Sequence, residues 1–135
     1  MPDQNMDRMA RNVFGGVRSF VYENDFTLYV LERPESASVS VQAWVKTGSI
    51  NEEEYLGCGL SHFLEHMLFQ GCEGYSGQKC ADTVNSLGGY INAYTSYADT
   101  VYHIDVPSSA AETAVDILCS MLKTPEFPEP KFASE

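Results

Sequence analysis

The stretch "GLSHFLEHMLFQG", from Gly59 to Gly71, sets two histidines and a glutamate inside an otherwise apolar run. Its apolar residues recur at helical spacing from Leu60 to Phe69, and Gly71 is a natural stop just beyond. At about 100° per residue, His66 lies about 40° to one side of His62 and Glu65 about 60° to the other. The three therefore share one face. Leu60, Phe63, Leu64, Met67 and Leu68 fall on the opposite side and are expected to pack. A chance polar stripe on a surface helix would more often carry Lys, Glu and Gln.

Metal binding is the chemistry that wants this spacing. Two imidazoles one turn apart can each place a nitrogen about 2.0–2.1 Å from one Zn²⁺. A carboxylate three residues after the first histidine can take a proton from water held at that ion. His62 and His66 are thus candidate ligands, and Glu65 is the candidate general base. The pattern H-x-x-E-H is the inverted form of H-E-x-x-H.

The rest of the chain narrows the fold. "FTLYVLE" (26–32) reads as a strand, and "VSVQAWVKTG" (39–48) alternates Val39, Val41, Ala43 and Val45 against Ser40, Gln42, Trp44 and Lys46. "SINEEEYLGCG" and "CEGYSGQ" read as loops. "KCADTVNSLGG" is a short helix closed by Gly88 and Gly89, and residues 90–106 are a β-rich pair of strands or a hairpin. Pro107 stops that hairpin, and Ser108 or Ser109 is expected to cap the next helix. That helix carries Ala110, Ala114, Ile117, Leu118, Met121 and Leu122 on one stripe, and a further helix begins at "KFASE". Strands and helices in this order predict one α+β domain over 1–135, mostly antiparallel sheet with helices packed on one face.

Composition removes several functions. The net charge of −11, from 19 acidic against 8 basic residues, repels phosphate backbones and anionic membrane surfaces. Neither nucleic acid nor membrane is an expected partner. The N-terminus has no apolar core of a secretory signal, so the expected location is cytoplasmic. Cys58, Cys72, Cys80 and Cys119 show no C-x-x-C spacing and are expected as free thiols, packed as small hydrophobes.

"GLSHFLEHMLFQG" resembles the zinc-site signature of the pitrilysin/insulinase metallopeptidases, which include insulin-degrading enzyme and the mitochondrial processing peptidases. A second segment, "GGYINAYTSYADTVYHIDVP" (88–107), is similar to that family's G-G-x-x-N-A-x-T-S-x-x-x-T-x-Y segment, with Asp99 where many relatives have Glu. The leading strands follow the family pattern too, so the resemblance covers nearly the whole chain. It implies a zinc metalloendopeptidase with one Zn²⁺ per complete site, His62 and His66 as ligands and Glu65 as base. It also implies a substrate-pairing edge strand at Asn92 and Ala93, and structural roles for Thr100 and Tyr102. The third ligand would be a glutamate about seven residues past Glu135, with Glu135 itself a supporting carboxylate behind the ligands. Glu112, Glu126 and Glu129 have no spacing that recommends them as substitutes. Peptide substrate and the remaining domains, or a second subunit, are the implied partners. The acidic charge suggests basic peptides. The other reading is a non-catalytic peptide- or partner-binding module of the same fold.

Overall fold

The computed structural model describes residues 11–13, 16–76 and 78–132. They belong to two compact units, 1–36 and 37–135.

The first unit is an antiparallel meander of β1 (Arg11–Val13), β2 (Val17–Val21) and β3 (Thr27–Leu31). The expected strand at 26–32 is β3. The β2–β3 turn puts Asp25 at φ +61°, a left-handed conformation that Asp tolerates better than most side chains. The Tyr22 amide donates to the Phe26 carbonyl at 2.9 Å to close it. Arg18 of β2 pairs with Glu32 just beyond β3.

The second unit runs β4 (Ser38–Val45), α1 (Leu60–Leu68), β5 (Gly71–Cys72), β6 (Tyr75–Ser76), α2 (Lys79–Ser86), β7 (Tyr90–Thr95), β8 (Thr100–Pro107), α3 (Ala111–Lys123) and α4 (Glu129–Phe132). A three-stranded antiparallel sheet is ordered β4-β8-β7, with Val41↔Ile104↔Ile91 and Ala43↔Tyr102↔Ala93 in register. Period-2 alternation turns these residues to the same side. There they meet Leu68 of α1, Cys80 and Val84 of α2, and Ala114, Ile117, Leu118 and Met121 of α3 in one core. The α+β expectation, antiparallel sheet with helices on one face, is what the chain adopts. Burying Ile104, Ile117 or Met121 stabilises the fold by about 1.5–3 kcal/mol each.

Several details differ from the sequence reading. The "CEGYSGQ" segment forms the β5–β6 hairpin instead of a loop. The acidic segment Ser49–Tyr55 is 3-10 helical, interrupted at Glu53, where φ is +49°. Neither serine caps α3 through its side chain: a 3-10 turn, Ser108–Ala110, intervenes and Ala110 takes the cap position. The reason is that β8 pairs to its last residue, Pro107 against Ser38, and the Ser108 amide is committed to the Ala37 carbonyl at 2.9 Å. Leu122 is 36% exposed, so the buried stripe of α3 ends at Met121. Cys58 and Cys119 are exposed, whereas Cys72 and Cys80 are buried with sulfurs 3.5 Å apart; all four are free thiols.

Two glycines hold the frame. A Cβ at Gly48 would come within 2.5 Å of the Ser96 carbonyl and 2.8 Å of the Ala98 and Asp99 amides, so only glycine lets β4's end pass the β7–β8 turn. At Gly88 (φ +76°), amides 88 and 89 donate to the Asn85 and Val84 carbonyls, ending α2 as its sequence predicts.

Burial also sets an alkaline limit. It pushes the Cys80 thiol up to about 12, with Cys72 beside it adding to the rise, and Tyr102 up to about 12, with the Glu65 charge adding. Both groups hold their protons in the fold at pH values where the unfolded chain releases them. Stability is therefore full below about pH 9 and falls as pH rises from about 9 to about 12. Urea titrations across that range should show the midpoint dropping; a flat midpoint would contradict the buried environments of both groups.

Candidate metal centre

Helix α1 begins at a left-handed glycine, Gly59 (φ +76°), which ends the preceding loop and supplies no capping side chain. The helix packs against β7 and the 3-10 segment. His62 and His66 are exposed, and Glu65 between them is 7% exposed. The helix buries Glu65, Met67 and Leu68, while Leu60 and Leu64 are 52% and 47% exposed. The expected apolar face is therefore only partly packed. It is the Glu65 and Leu68 side that meets the sheet, because β7 crosses there with Thr95.

One ligand atom from each of His62, Glu65 and His66 lies within 4.8 Å of the others. The two Nε2 atoms are 2.9 Å apart. Around a tetrahedral ion with bonds of about 2.0–2.1 Å, two imidazole nitrogens sit roughly 3.3 Å apart. The pair therefore needs to open by only a few tenths of an ångström to accept Zn²⁺. Imidazole nitrogens are donors that Zn²⁺ accepts. Among the described residues Glu112, Glu126 and Glu129 do not join this cluster. Glu135 lies outside the described residues.

Glu65 is held from the sheet. The Thr95 hydroxyl donates to Glu65 Oε2 at 2.5 Å, across 30 residues of sequence. Tyr102, paired with Ala93 two register rows from Thr95, is a buried phenol that keeps its proton at ordinary pH, through burial and then the Glu65 charge. Losing a hydrogen bond to a charged acceptor costs about 1.5–3 kcal/mol. In an active form of the protein, Thr95→Val should lower kcat roughly 10- to 100-fold at unchanged zinc content, and Thr95→Ser should restore it. An unchanged kcat in Thr95→Val would show the contact to be idle.

Asn92 and Ala93 lie on β7, which pairs only with β8 among the described residues and is therefore an edge strand. Ala93 points into the core side. Asn92 is exposed on the opposite face, where its Nδ2 donates to the Tyr90 hydroxyl at 2.6 Å. Its Oδ1 accepts the Ala93 amide at 2.9 Å, so the Asn92 side chain covers main chain at the edge and does not reach Glu65's face.

Sequence reasoning missed Thr95 and Glu52. The Glu52 side chain accepts the Ser61 amide in the first turn of α1 at 2.8 Å. Three consecutive glutamates, 52–54, look alike in sequence, and only Glu52 is buried.

An antiparallel sheet roofed by helices, one presenting His-x-x-Glu-His with its glutamate held from the sheet edge, defines a metallopeptidase-type domain. The family model for insulinase (peptidase family M16) matches residues 28–135, and the chain belongs to that family. It is 32% identical over 119 residues to the uncharacterized zinc protease YmxG of Bacillus subtilis, covering 88% of this chain and 29% of that protein. It is 34% identical over 107 residues to the mitochondrial-processing peptidase subunit beta of Saccharomyces cerevisiae, covering 79% of this chain and 23% of that protein. A protease from Helicobacter pylori has the same fold, with a TM-score of 0.79 at 23% identity over 87% of this chain and 28% of that one. The chain spans less than a third of the length of these relatives. No helix among the described residues is long and apolar enough to cross a membrane.

Proposed function

We propose that this chain is the zinc-site domain of a metalloendopeptidase, with His62 and His66 as two zinc ligands and Glu65 as the general base. The observation that carries the reading is the convergence of two imidazoles 2.9 Å apart with a buried, hydrogen-bonded carboxylate on one helix. When bound, zinc supplies a Lewis acid for the scissile carbonyl and makes a nucleophilic water available near neutral pH. Glu65 takes the proton of that water and later returns it to the leaving amine. The Thr95 hydroxyl occupies Oε2, which leaves Oε1 of Glu65 free to face the water. The rigid helix sets the spacing between base and ligands, so little reorganisation is needed at the moment of reaction.

The substrate is a peptide in extended form, added as a strand to the edge of β7 beside Ala93, where main-chain bonds hold it with little sequence demand. Asn92 must swing its Oδ1 away from the Ala93 amide, or pass that bond to the incoming strand. The third zinc ligand is a carboxylate from beyond the described residues. Further domains or a second subunit complete the substrate chamber, as the share of the relatives' length suggests. The net charge of −11 favours basic peptides, in the cytoplasm.

Hydrolysis of an internally quenched basic peptide, by the longest available form of the protein, tests the reading. Cleavage should stop with 1,10-phenanthroline and return with one equivalent of zinc. Cleavage that the chelator leaves untouched would overturn it.

A further inference from the structure

The helix that carries the cluster is anchored by a carboxylate outside it. An α-helix starts with four unpaired backbone amides, and the cap residue of α1, Gly59, has no side chain to accept any of them. The acceptor comes from nine residues before Ser61. Glu52 Oε1 accepts the Ser61 amide at 2.8 Å, and Ser61 directly precedes His62. Glu52 is 5% exposed, and its Oε2 is buried with no hydrogen-bond partner among the described residues. Burying a carboxylate with one oxygen unpaired is costly unless the other interactions are strong. Here the Ser61 amide is the main influence holding the carboxyl below its ordinary range, with lesser help from the nearby Ser61 hydroxyl and Gly57 and Gly59 amides, against the opposing effect of burial. Gly57 (φ +91°) and Gly59 (φ +76°) take left-handed turns in the loop that leads from Glu52 into the helix. Glu53 and Glu54 are exposed and take no part.

We infer that Glu52 is a positioning residue for His62, fixing the first turn of α1 so that the His62 imidazole is aimed at His66. Its consequence for zinc rests on the proposed metal site, but the positioning itself does not. Glu65 and His66 lie a turn further along, where the bonds of the helix interior hold the backbone. Releasing the cap therefore frees His62 and leaves His66 in place. A cap that served stability alone would weaken the fold without separating the two histidines.

The chain has three histidines, His62, His66 and His103, and His103 lies on β8, so it serves as an internal reference. In the metal-free chain, the imidazole Cε1–H resonance of His62 should shift and narrow in Glu52→Ala, with a smaller shift at His66, its neighbour at 2.9 Å, and none at His103. Zinc affinity should fall about tenfold in Glu52→Ala, the size of a lost helix cap felt at one ligand. Glu52→Gln keeps one acceptor oxygen and should lose about threefold. Equal shifts of His62 and His66, or no shift of either, would overturn the inference. If Glu52→Ala does not fold, Glu52→Gln decides: an unmoved His62 resonance overturns it. A wild-type chain that binds no zinc would sink the metal reading alone, because the metal-free resonances still report on Glu52.

Discussion

Glu65→Gln should cut peptide cleavage by about 10²- to 10⁴-fold, the loss of a general base, while leaving zinc in place. The substitution keeps the size and the hydrogen-bonding outline of the side chain, so Thr95 still finds an acceptor at position 65. It removes the only feature that proton transfer needs, an acceptor basic enough to take a proton from water. General-base catalysis is worth about 10²–10⁴ in rate, and kcat should fall by that factor. KM should change little, because Glu65 is a buried residue of α1 and the proposed peptide site runs along the edge of β7. Zinc content and melting temperature should match the parent. A Glu65→Gln protein that cleaves within tenfold of the parent would remove Glu65 from the mechanism.

The second large effect is on the metal. Structural zinc sites of four ligands bind with about 10–16 kcal/mol, so each ligand accounts for roughly 3 kcal/mol, or about 10² in affinity. His62→Ala and His66→Ala should each weaken zinc by at least that factor, as read by competition with a chelating dye. Both side chains are exposed, so neither change opens a cavity and the fold should stand. The two substitutions should not be additive, because a site reduced to one imidazole has already lost the chelate on which the second depends. Full zinc affinity in either single variant would place the metal elsewhere.

The three members of the cluster could be seen in the sequence because their geometry is internal to one helix. Spacing of three and four residues fixes which side chains share a face, whatever the helix packs against. The sheet was legible for a related reason. Alternation in residues 39–48 marks Val41, Ala43 and Val45 as core-facing, and they are. What the helix packs against was not legible. Leu60 and Leu64 look like core by composition, yet β7 crosses on the Glu65 side and leaves them exposed. Thr95 reaches Glu65 only through the register of β7 against α1, 30 residues away, and no local pattern encodes that. Glu52 differs from Glu53 and Glu54 only in where the 3-10 segment turns it. The β5–β6 hairpin has two residues per strand, too few for any period to show. The serine caps failed because the strand ladder runs one residue further than the proline suggests. Asn92 was legible as an edge position, but its face was not: alternation from Ala93 sends its side chain away from α1, towards Tyr90.

The most direct measurement is zinc K-edge X-ray absorption on the zinc-loaded chain at neutral pH. Ligation by His62 and His66 predicts two imidazole nitrogens at about 2.0–2.1 Å, completed by oxygen, with the multiple-scattering pattern of imidazole rings. Scattering from sulfur near 2.3 Å would move the ion to the cysteines, and fewer than two imidazoles would break the pair on which the proposed chemistry depends.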